Sequence, residues 1–424
     1  MRVLLFDDAV AAEWMPFSLT RPIGELLFGA HTFRERAVRL FGSCAGNVAS
    51  PELLGFDEPG AAPVLDASDL TASGPTLFLC SRAVVDWNVR FDPGRPGPIR
   101  VAGDVVGCFL PEGMPPAEFF AQPGALDSSG VASDAIGLDA WREVAAASGY
   151  DLPGRVLHNV WDLIALNAEQ IETDFEAAAS RSPRSTPALP GVHVIGGTAA
   201  RVRLAANATV EPGVVFDVSS GPIWLEDGVS VRAFTRVQGP LFAGPGSALL
   251  GGAVTAVSVG PVCKVHGEIE ESVILGYSNK AHDGFLGHAY LGRWVNLGAL
   301  TTNSDLKNNY GTIRVWTPSG ETDTGHIKIG CLLGDHVKTG IGVMLNTGTV
   351  VGAGSSIFGA VQPPKHVPPF RWGSGDSLVD YELARFLDTA KTVMARRQID
   401  LSDGQASLLR RAWQRAKAES GEAP

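Results

Sequence analysis

Polar side chains concentrate in one stretch of the chain, residues 278–311, which reads SNKAHDGFLGHAYLGRWVNLGALTTNSDLKNNYG. An imidazole can transfer a proton near neutral pH, and lysines can neutralise an anionic group as point charges, so the stretch has the residue types of a catalytic site. Loops that project from a repeat domain are commonly polar too, which leaves a structural loop as the alternative. The polar residues are Lys280, His282, Asp283, His288, Asn296, Asn303, Asp305, Lys307 and Asn308.

These residues lie inside a repeat with a period of six. Six residues make one short strand and a tight corner, so three hexads close a triangular coil with one inward side chain per face. Neighbouring coils then pair as parallel strands about 4.8 Å apart. We therefore predict a parallel β-helix over residues 191–372, with a glycine-rich β-sandwich as the alternative. The recurring positions are Leu204, Val210 and Phe216; Leu225, Val231 and Val237; Phe285, Leu291, Leu297 and Asn303; and Leu333, Thr339, Leu345, Val351 and Ile357.

Two flanking regions complete the predicted organisation. Apolar runs at 3–6 and 76–80 lie among Pro/Gly turns and helical stretches such as HTFRERAVRLF, which predicts an α/β domain over residues 1–165. Residues 166–190 are predicted to form a helix and the linker SRSPRSTPALP, and residues 373–424 a helical cap that ends near Arg396-Arg397. The apolar residues at helical spacing are Val160, Ile164, Ile171 and Phe175, and then Val379, Leu383, Phe386, Ala390 and Val393.

Composition excludes several function classes. The formal net charge is −11, with mixed signs and no long basic run, so neither nucleic acid nor an anionic membrane surface is an expected partner. No apolar stretch approaches the roughly 20 residues that span a bilayer. The five cysteines are widely spaced and form no Cys/His metal pattern, so we expect no metal site, reduced thiols and a soluble, cytoplasmic protein.

The segment KAHDGFLGHAYLGRWVNLGALTTNSD resembles the acetyltransferase core of the bifunctional N-acetylglucosamine-1-phosphate uridylyltransferase/glucosamine-1-phosphate N-acetyltransferase family. In that family Lys-Ala-Gly-His precedes a Tyr-Leu-Gly turn and a Val-Asn-Ile-Gly-Ala-Gly-Thr turn. The segments FDDA, SLTRPIGELLFG, FRER, HNVWDLIALN and SNKAHDGFLGH look closer to a divergent branch of sugar nucleotidyltransferases with hexapeptide-repeat tails. The resemblance implies an α/β nucleotidyltransferase-like domain, a left-handed parallel β-helix, and a homotrimer with the acyl site between neighbouring prisms.

The resemblance also implies roles for individual residues. His282 matches the general base that takes a proton from a sugar amine as the amine attacks the thioester of acetyl-CoA, and a loop hydrogen bond is the alternative role. Asn296 matches a sugar contact and Asn303 a residue near the acetyl group, although both could form amide ladders between coils. Phe285 replaces a sugar-site tyrosine and keeps its ring, but a core phenylalanine at an inward position is the favoured alternative.

Charged and main-chain groups extend the predicted site. Lys280 or Lys307 could hold the sugar phosphate, and Lys307 is offset from the family's phosphate-binding lysine. Glu271 or a neighbour stands where the family has a second lysine. Asp283 has no counterpart and could orient the imidazole or cap a turn. The predicted coenzyme A contacts are Ala299, whose backbone N–H could stabilise the thioester oxyanion, together with Gly340 and Ile341.

The first domain carries weaker signals for nucleotide transfer. It has neither a GxGxxG nor a GxxxxGK[ST] loop, and LTRP at 19–22 stands in place of the family's LxAGxGTRM loop. Arg21 could bind phosphate, and Asp7 or Asp8 ends the first strand, so Asp8 and Arg21 are the predicted nucleotide-binding residues. A buried ion pair of Arg21 with an aspartate is the alternative. Mg²⁺ is implied only if nucleotide transfer is retained, and Cys80-Ser81-Arg82 occupies the expected position of its aspartate.

The sequence therefore favours an enzyme that N-acetylates an amino-sugar 1-phosphate of the glucosamine 1-phosphate type. Such an enzyme could be coupled to UDP-sugar synthesis by the first domain, within UDP-N-acetylglucosamine biosynthesis. Its small-molecule partners would be a sugar phosphate, acyl-CoA and, if the first domain is active, UTP. Two alternatives are a sugar-1-phosphate nucleotidyltransferase with a structural β-helix and a non-catalytic trimeric scaffold that senses a sugar nucleotide.

Overall fold

The computed structural model describes residues 1–66, 70, 74–112, 149–182, 188–375 and 377–419. The chain divides into two units, the first comprising Met1–Leu26, His31–Val160 and Ser402–Gln414, and the second Leu27–Ala30, Trp161–Leu401 and Arg415–Pro424. Parts of three predicted regions, at 113–148, 183–187 and 420–424, lie outside the described residues. Within the described ranges, no helix is long and apolar enough to cross a membrane.

In the part of the chain that the structure describes, the helices lie in three regions, which are residues 9–41, 162–181 and 383–419. Those described are α1 (Ala9–Ala12), α2 (Phe33–Phe41), α3 (Asp162–Ala165), α4 (Asn167–Arg181), α5 (Leu383–Ala395) and α6 (Asp403–Glu419), with 3-10 turns at Ile23–Glu25, Pro51–Leu53 and Ala199–Arg201. Thr32 and Glu35 form a capping box at the start of α2, which confirms the predicted helix there. The apolar positions predicted for α3 and α4 are buried, which confirms these helices as well.

The first unit is built on a mixed seven-stranded sheet, whose strands lie in the order Tyr150–Leu152, Gly97–Val101, Asp104–Leu110, Thr76–Cys80, Arg2–Phe6, Ser43–Val48 and Val64–Leu65. The two apolar runs predicted as strands form its centre, as the parallel neighbours at Arg2–Phe6 and Thr76–Cys80, in which Phe6 lies beside Cys80. The strands up to residue 156 are β1 (Arg2–Phe6), β2 (Leu27–Phe28), β3 (His31–Thr32), β4 (Ser43–Val48), β5 (Val64–Leu65), β6 (Thr76–Cys80), β7 (Ala83–Val85), β8 (Gly97–Val101), β9 (Asp104–Leu110), β10 (Tyr150–Leu152) and β11 (Gly154–Val156).

The second unit is the predicted parallel β-helix. One face stacks nine parallel strands in the order Val202–Leu204, Ile223–Leu225, Leu241–Ala243, Ser258–Val259, Val273–Gly276, Tyr290–Arg293, Cys331–Leu333, Thr349–Val351 and His366–Val367. The strands Ala248–Thr255 and Lys264–Glu270 are long enough to bend around the corner that joins the other two faces. The first strands are β12 (His193–Ile195), β13 (Val202–Leu204), β14 (Thr209–Val210), β15 (Val215–Asp217), β16 (Ile223–Leu225), β17 (Ser230–Val231), β18 (Thr235–Gln238), β19 (Leu241–Ala243), β20 (Ala248–Thr255), β21 (Ser258–Val259), β22 (Lys264–Glu270) and β23 (Val273–Gly276).

The later coils carry the residues predicted to form the site. Their strands are β24 (Asn279–Lys280), β25 (Phe285–Gly287), β26 (Tyr290–Arg293), β27 (Asn296–Leu297), β28 (Thr302–Asn303), β29 (Arg314–Thr317), β30 (Gly320–Asp323), β31 (Cys331–Leu333), β32 (Lys338–Thr339), β33 (Met344–Leu345), β34 (Thr349–Val351), β35 (Ser356–Ile357), β36 (His366–Val367), β37 (Arg371–Ser374) and β38 (Ser377–Asp380). An insertion between β28 and β31 projects the antiparallel hairpin β29–β30.

The inward columns follow the predicted period, with one correction. Leu291, Leu297 and Asn303 are buried as predicted, but the residue on the core side of β25 is Leu286, not Phe285, because Leu286 lies beside the core residue Ile269. Leu291 follows Leu286 after five positions instead of six, because the corner between β25 and β26 has one residue fewer than the repeat requires. Extrapolating the period backwards from Leu291 therefore gave the wrong phase.

The C-terminal segment begins later than predicted as a helix. Val379 lies in β38, which pairs antiparallel with β37, and its side chain is exposed. Helix α5 starts at Leu383 and buries Phe386, Ala390 and Met394, so the predicted helical face is right over most of its length. Arg396 is the C-cap of α5, as its predicted place near the helix end requires.

Candidate active site

Three corner turns stack on one another and bring several predicted site residues together. The turn 281–284 carries His282, the next corner carries Ala299 and Leu300, and the one beyond carries Ile341 and Gly342. The amide of Leu300 donates to the carbonyl oxygen of Asp283 (2.9 Å), and the amide of Gly342 donates to the carbonyl oxygen of Ala299 (2.9 Å). We call this column the His282 corner.

His282 presents its side chain to solvent at this corner. No described residue makes a hydrogen bond or ion pair with its imidazole, so both ring nitrogens are available to a ligand. Only its carbonyl oxygen is engaged, by the ammonium of Lys280. Asp283 does not orient the His282 ring, because its carboxylate Oδ1 lies 3.3 Å from Nδ1 of His266 instead.

Lys280 lies inside the coil. It occupies the inward column of its face beside Val265, and only 1% of the residue is exposed. Its Nζ donates to the carbonyl oxygens of His266 (3.1 Å) and His282. Burial lowers the pKa of Lys280 to about 8, partly offset by the carboxylate of Asp283.

Two further main-chain donors lie at the same corner. Among the described residues, no acceptor is found for the N–H groups of Ala299 and Ile341. Gly340 differs, because its N–H donates to the carbonyl oxygen of Ile357 (2.7 Å). The two free N–H groups lie on successive turns of the column, so this corner offers two hydrogen-bond donors near the exposed imidazole.

The side-chain amides of the two predicted asparagines form hydrogen bonds between neighbouring coils, which is the alternative role predicted for them. Buried Asn303 accepts from the N–H of Gly287 (2.9 Å) and donates to its carbonyl oxygen (2.8 Å). Exposed Asn296 accepts from the side chain of Asn279 (3.1 Å), whose own oxygen accepts from Arg397 (2.7 Å).

Phe285 is partly exposed and lies on the outer side of β25. Its ring lies against Gly287, where a Cβ atom would come within 2.3 Å of Cζ of Phe285 and 2.8 Å of Oδ2 of Asp305. The ring therefore covers the outer face between the His282 corner and the corner at His288, which follows β25. Lys307 lies farther along, where its Nζ donates to the carbonyl oxygen of Thr312.

A charged triad that was not predicted from the sequence occupies the corner at His288. Nδ1 of buried His288 is 2.8 Å from Oδ2 of Asp305, and its Nε2 is 3.3 Å from Oε2 of Glu271. Although burial alone would lower it, the two carboxylates raise the pKa of His288 to about 9. Glu271, His288 and Asp305 are spaced 17 positions apart, which is the length of one coil here. This spacing is the sequence signal from which the triad could have been predicted.

The predicted nucleotide-binding residues are engaged by partners within the first unit. Arg21 is fully buried and donates to both carboxylate oxygens of Glu58 (3.1 Å each), so its ion pair is with a glutamate rather than with an aspartate. Asp8 caps α1 through the N–H of Ala11 (2.9 Å) and binds Nε of Arg82 (2.8 Å).

Asp7 is buried at the end of β1, between two donors. It accepts from the N–H of Ile23 (3.0 Å) and from Oγ of Ser81 (2.6 Å), and burial raises its pKa to about 7. Both oxygens of Asp7 and both of Asp8 thus have protein donors. These carboxylates do not fit Mg²⁺, which prefers ionised oxygens free to coordinate it.

Comparison with known proteins finds a family match in the N-terminal part of the chain and a curated relative that matches part of it. Residues 3–89 match the model of the sugar nucleotidyl transferase family. A curated relative from Sulfurisphaera tokodaii, a bifunctional sugar-1-phosphate nucleotidylyltransferase/acetyltransferase, is 34% identical over 95 residues, which are 22% of this chain and 24% of the relative. The chain thus aligns with about a quarter of that relative's length.

Two solved structures share a weak likeness with the chain. One is a UDP-N-acetylglucosamine acyltransferase from Arabidopsis (14% identity, TM-score 0.25, covering 49% of this chain and 78% of that one). The other is an N-acyltransferase from Bacillus cereus in complex with dTDP-4-amino-4,6-dideoxyglucose and coenzyme A (11% identity, TM-score 0.20, covering 47% and 89%). Likenesses this weak do not bear on what this chain does.

Proposed function

We propose that the chain is a coenzyme-A-dependent N-acyltransferase whose substrate is an amino-sugar 1-phosphate of the glucosamine 1-phosphate type. The observation that carries the proposal is the His282 corner, where an exposed, unpaired imidazole lies in one column with the N–H groups of Ala299 and Ile341. An acyl transfer needs a base for the amine proton and donors for the thioester oxygen as it becomes negative. This corner has the groups for both tasks.

In this mechanism the amine nitrogen attacks the thioester carbon of acetyl-CoA while His282 takes the amine proton. The N–H groups of Ala299 and Ile341 donate to the carbonyl oxygen in the tetrahedral intermediate. The carbon–sulfur bond then breaks, and the coenzyme A thiolate leaves and takes up the proton from His282. Phe285 supplies a ring face for the sugar beside the corner. Asn296, Asn303, Lys307 and Gly340 remain predicted contacts of sugar, acetyl group, phosphate and coenzyme A.

The test is thiol release from acetyl-CoA with glucosamine 1-phosphate as the acceptor. We expect release that needs both substrates, and His282→Ala should reduce kcat by about 10²–10⁴-fold, the usual contribution of a general base. His193→Ala, which removes an exposed histidine from the first strand of the same β-helix, is the matched control and should retain full activity. Undiminished turnover by His282→Ala would disprove the base assignment.

A nucleotidyl transfer by the first unit is the second candidate, favoured by the family match over residues 3–89 and by the bifunctional relative. The activity would join UTP to the acetylated sugar phosphate and would place the chain in UDP-N-acetylglucosamine synthesis. Pyrophosphate release from UTP and N-acetylglucosamine 1-phosphate tests it directly. If both assays fail over a panel of acyl-CoAs, amino sugars and nucleotides, the non-catalytic scaffold becomes the better account.

We also infer a cytoplasmic homotrimer. Support for the assembly comes from large apolar side chains that are exposed in the His282 corner, Leu300 (58%) and Ile341 (68%), and near it, Met344 (49%), which a neighbouring prism would cover. Support for the location comes from the cysteines, all five of which are free thiols.

A further inference from the structure

We propose that Lys280 is a positioning residue that anchors the turn carrying His282 from inside the β-helix. The inference rests on the proposed function, because it gives the anchored imidazole a task. The anchor itself can be tested without activity.

The first observation is where Lys280 lies. It is six residues after Ile274 and six before Leu286, and its register places it in the inward column between Val265 and Leu297. Both of these neighbours are buried apolar residues. A coil core gains nothing from a buried ammonium, since replacing buried charges by apolar groups of similar volume is often neutral or stabilising. The lysine therefore needs a reason other than packing.

The second observation is what the ammonium binds. Its hydrogen bonds go to main-chain carbonyl oxygens, that of His266 on the coil below and that of His282 in the turn itself. These bonds tie the turn to the previous coil at the residue that carries the imidazole. The N–H of Leu300 holds the other side of the turn through the carbonyl oxygen of Asp283.

The third observation is a space shaped for the ammonium. Gly267 has φ +107°, and a Cβ atom there would lie 3.1 Å from Nζ of Lys280 and 2.8 Å from the carbonyl oxygen of Gly284. Glycine at this position leaves room for both the ammonium and the turn. A sugar phosphate, by contrast, has no open path to an ammonium on a residue that is 1% exposed, so the positioning role replaces the phosphate contact predicted from the sequence.

The decisive variant is Lys280→Met in the full chain, since methionine fills an inward position without an ammonium. We expect an unchanged or higher thermal midpoint, faster hydrogen exchange at the amides of residues 281–285, and a fall in kcat of about 10²-fold, as expected for a misplaced catalytic group. KM for the sugar phosphate should change little, whereas loss of a phosphate ligand would raise it.

Lys338→Met is the matched control. Its Nζ likewise donates to two main-chain carbonyl oxygens, those of Trp294 (3.4 Å) and His336 (3.1 Å), but at a different corner, and burial lowers its pKa to about 8 as well. This variant should leave exchange at 281–285 unchanged. Exchange there that is also unchanged in Lys280→Met would overturn the anchor.

The dependence on pH gives a second readout. The carboxylate of Asp283 and the titratable side chains of His266 and His282 lie around the ammonium. As the pH rises through about 8, the ammonium loses its proton, so exchange at 281–285, corrected for its intrinsic pH dependence, should increase in the native protein and stay flat in Lys280→Met. If no acyl transfer is found in any assay, these exchange measurements still decide the anchor, and the His282→Ala assay decides the function separately.

Discussion

His288 shows how neighbouring coils set the charge of a single residue. Its two ring nitrogens face carboxylates from the coils below and above. These carboxylates stabilise the protonated imidazole although the side chain is buried. With both nitrogens engaged, His288 is poorly placed to accept a proton from a substrate. His282, exposed and without a partner among the described residues, is the better candidate for the proposed base, which is the assignment that the resemblance implied.

The His288 triad makes a prediction about pH and stability. The folded pKa of about 9 lies above the ordinary 6.5, so the stabilisation is complete below pH 6.5 and is lost as the pH rises through about 9. Asp305→Asn should lower stability by about 1–3 kcal/mol near neutral pH, because it leaves a buried charge short of its closest partner.

Thermal midpoints across this pH range check the triad. The difference between the native protein and Asp305→Asn should be largest below pH 6.5 and shrink above about 9. Glu271→Gln is the milder comparison, since Glu271 is half exposed and exposed ion pairs contribute little. A difference that does not vary with pH would argue against a charged His288.

Arg21 supports a second prediction, on the first unit. Its guanidinium is buried against both oxygens of Glu58, so Arg21→Met alone should cost about 3–5 kcal/mol by leaving that carboxylate buried and unpaired. The double variant Arg21→Met/Glu58→Leu should recover most of the loss. Urea denaturation of the two variants and the native protein measures both effects, and failure of the second change to restore stability would point to another role for Arg21.

At the scale of the element, the corner lengths decide which residues of a strand face the core. The spacing of six positions between inward residues is kept from Leu291 onward. The shorter corner before Leu291 moves the inward position of β25 to Leu286. The same phase makes Lys280 an inward residue. A strand of two or three residues has no alternation long enough to fix its own phase, so the register with its neighbours fixes it.

A matched pair of substitutions in β25 tests this phase. Leu286→Ala should destabilise the β-helix by about 2–5 kcal/mol, since it opens a cavity in the core. Phe285→Ala should cost far less stability but weaken sugar binding in the acyltransferase assay. Denaturation midpoints and KM values of the two variants distinguish the positions, and the reverse ranking in stability would restore Phe285 as the core residue.

At the scale of the whole molecule, the proposed trimer makes the acyl site depend on assembly. Leu300→Glu together with Ile341→Glu places charges on the exposed apolar side chains beside the His282 corner, so we expect dissociation to monomers and loss of acyl transfer. Sedimentation velocity measures the assembly. Val379→Glu on exposed β38 is the control, and it should leave the assembly intact. Met394→Glu is not suitable as a control, because it would disrupt a buried position of α5.

The sequence alone was enough to predict the main elements. Apolar runs at 3–6 and 76–80, the capped helix after Thr32, and the period of six over the second half are local patterns, and local patterns are what strands, helices and coils require. It also placed the polar stretch that contains His282.

Which polar groups meet depends on the folded chain. The burial of Lys280, the partners of His288 and the pairing of Arg21 with Glu58 all join residues from different coils or strands, so they depend on corner lengths and register that no local pattern carries. The free N–H groups of Ala299 and Ile341 are likewise visible only once the coils are stacked, because a hydrogen bond left unmade is a property of the folded chain.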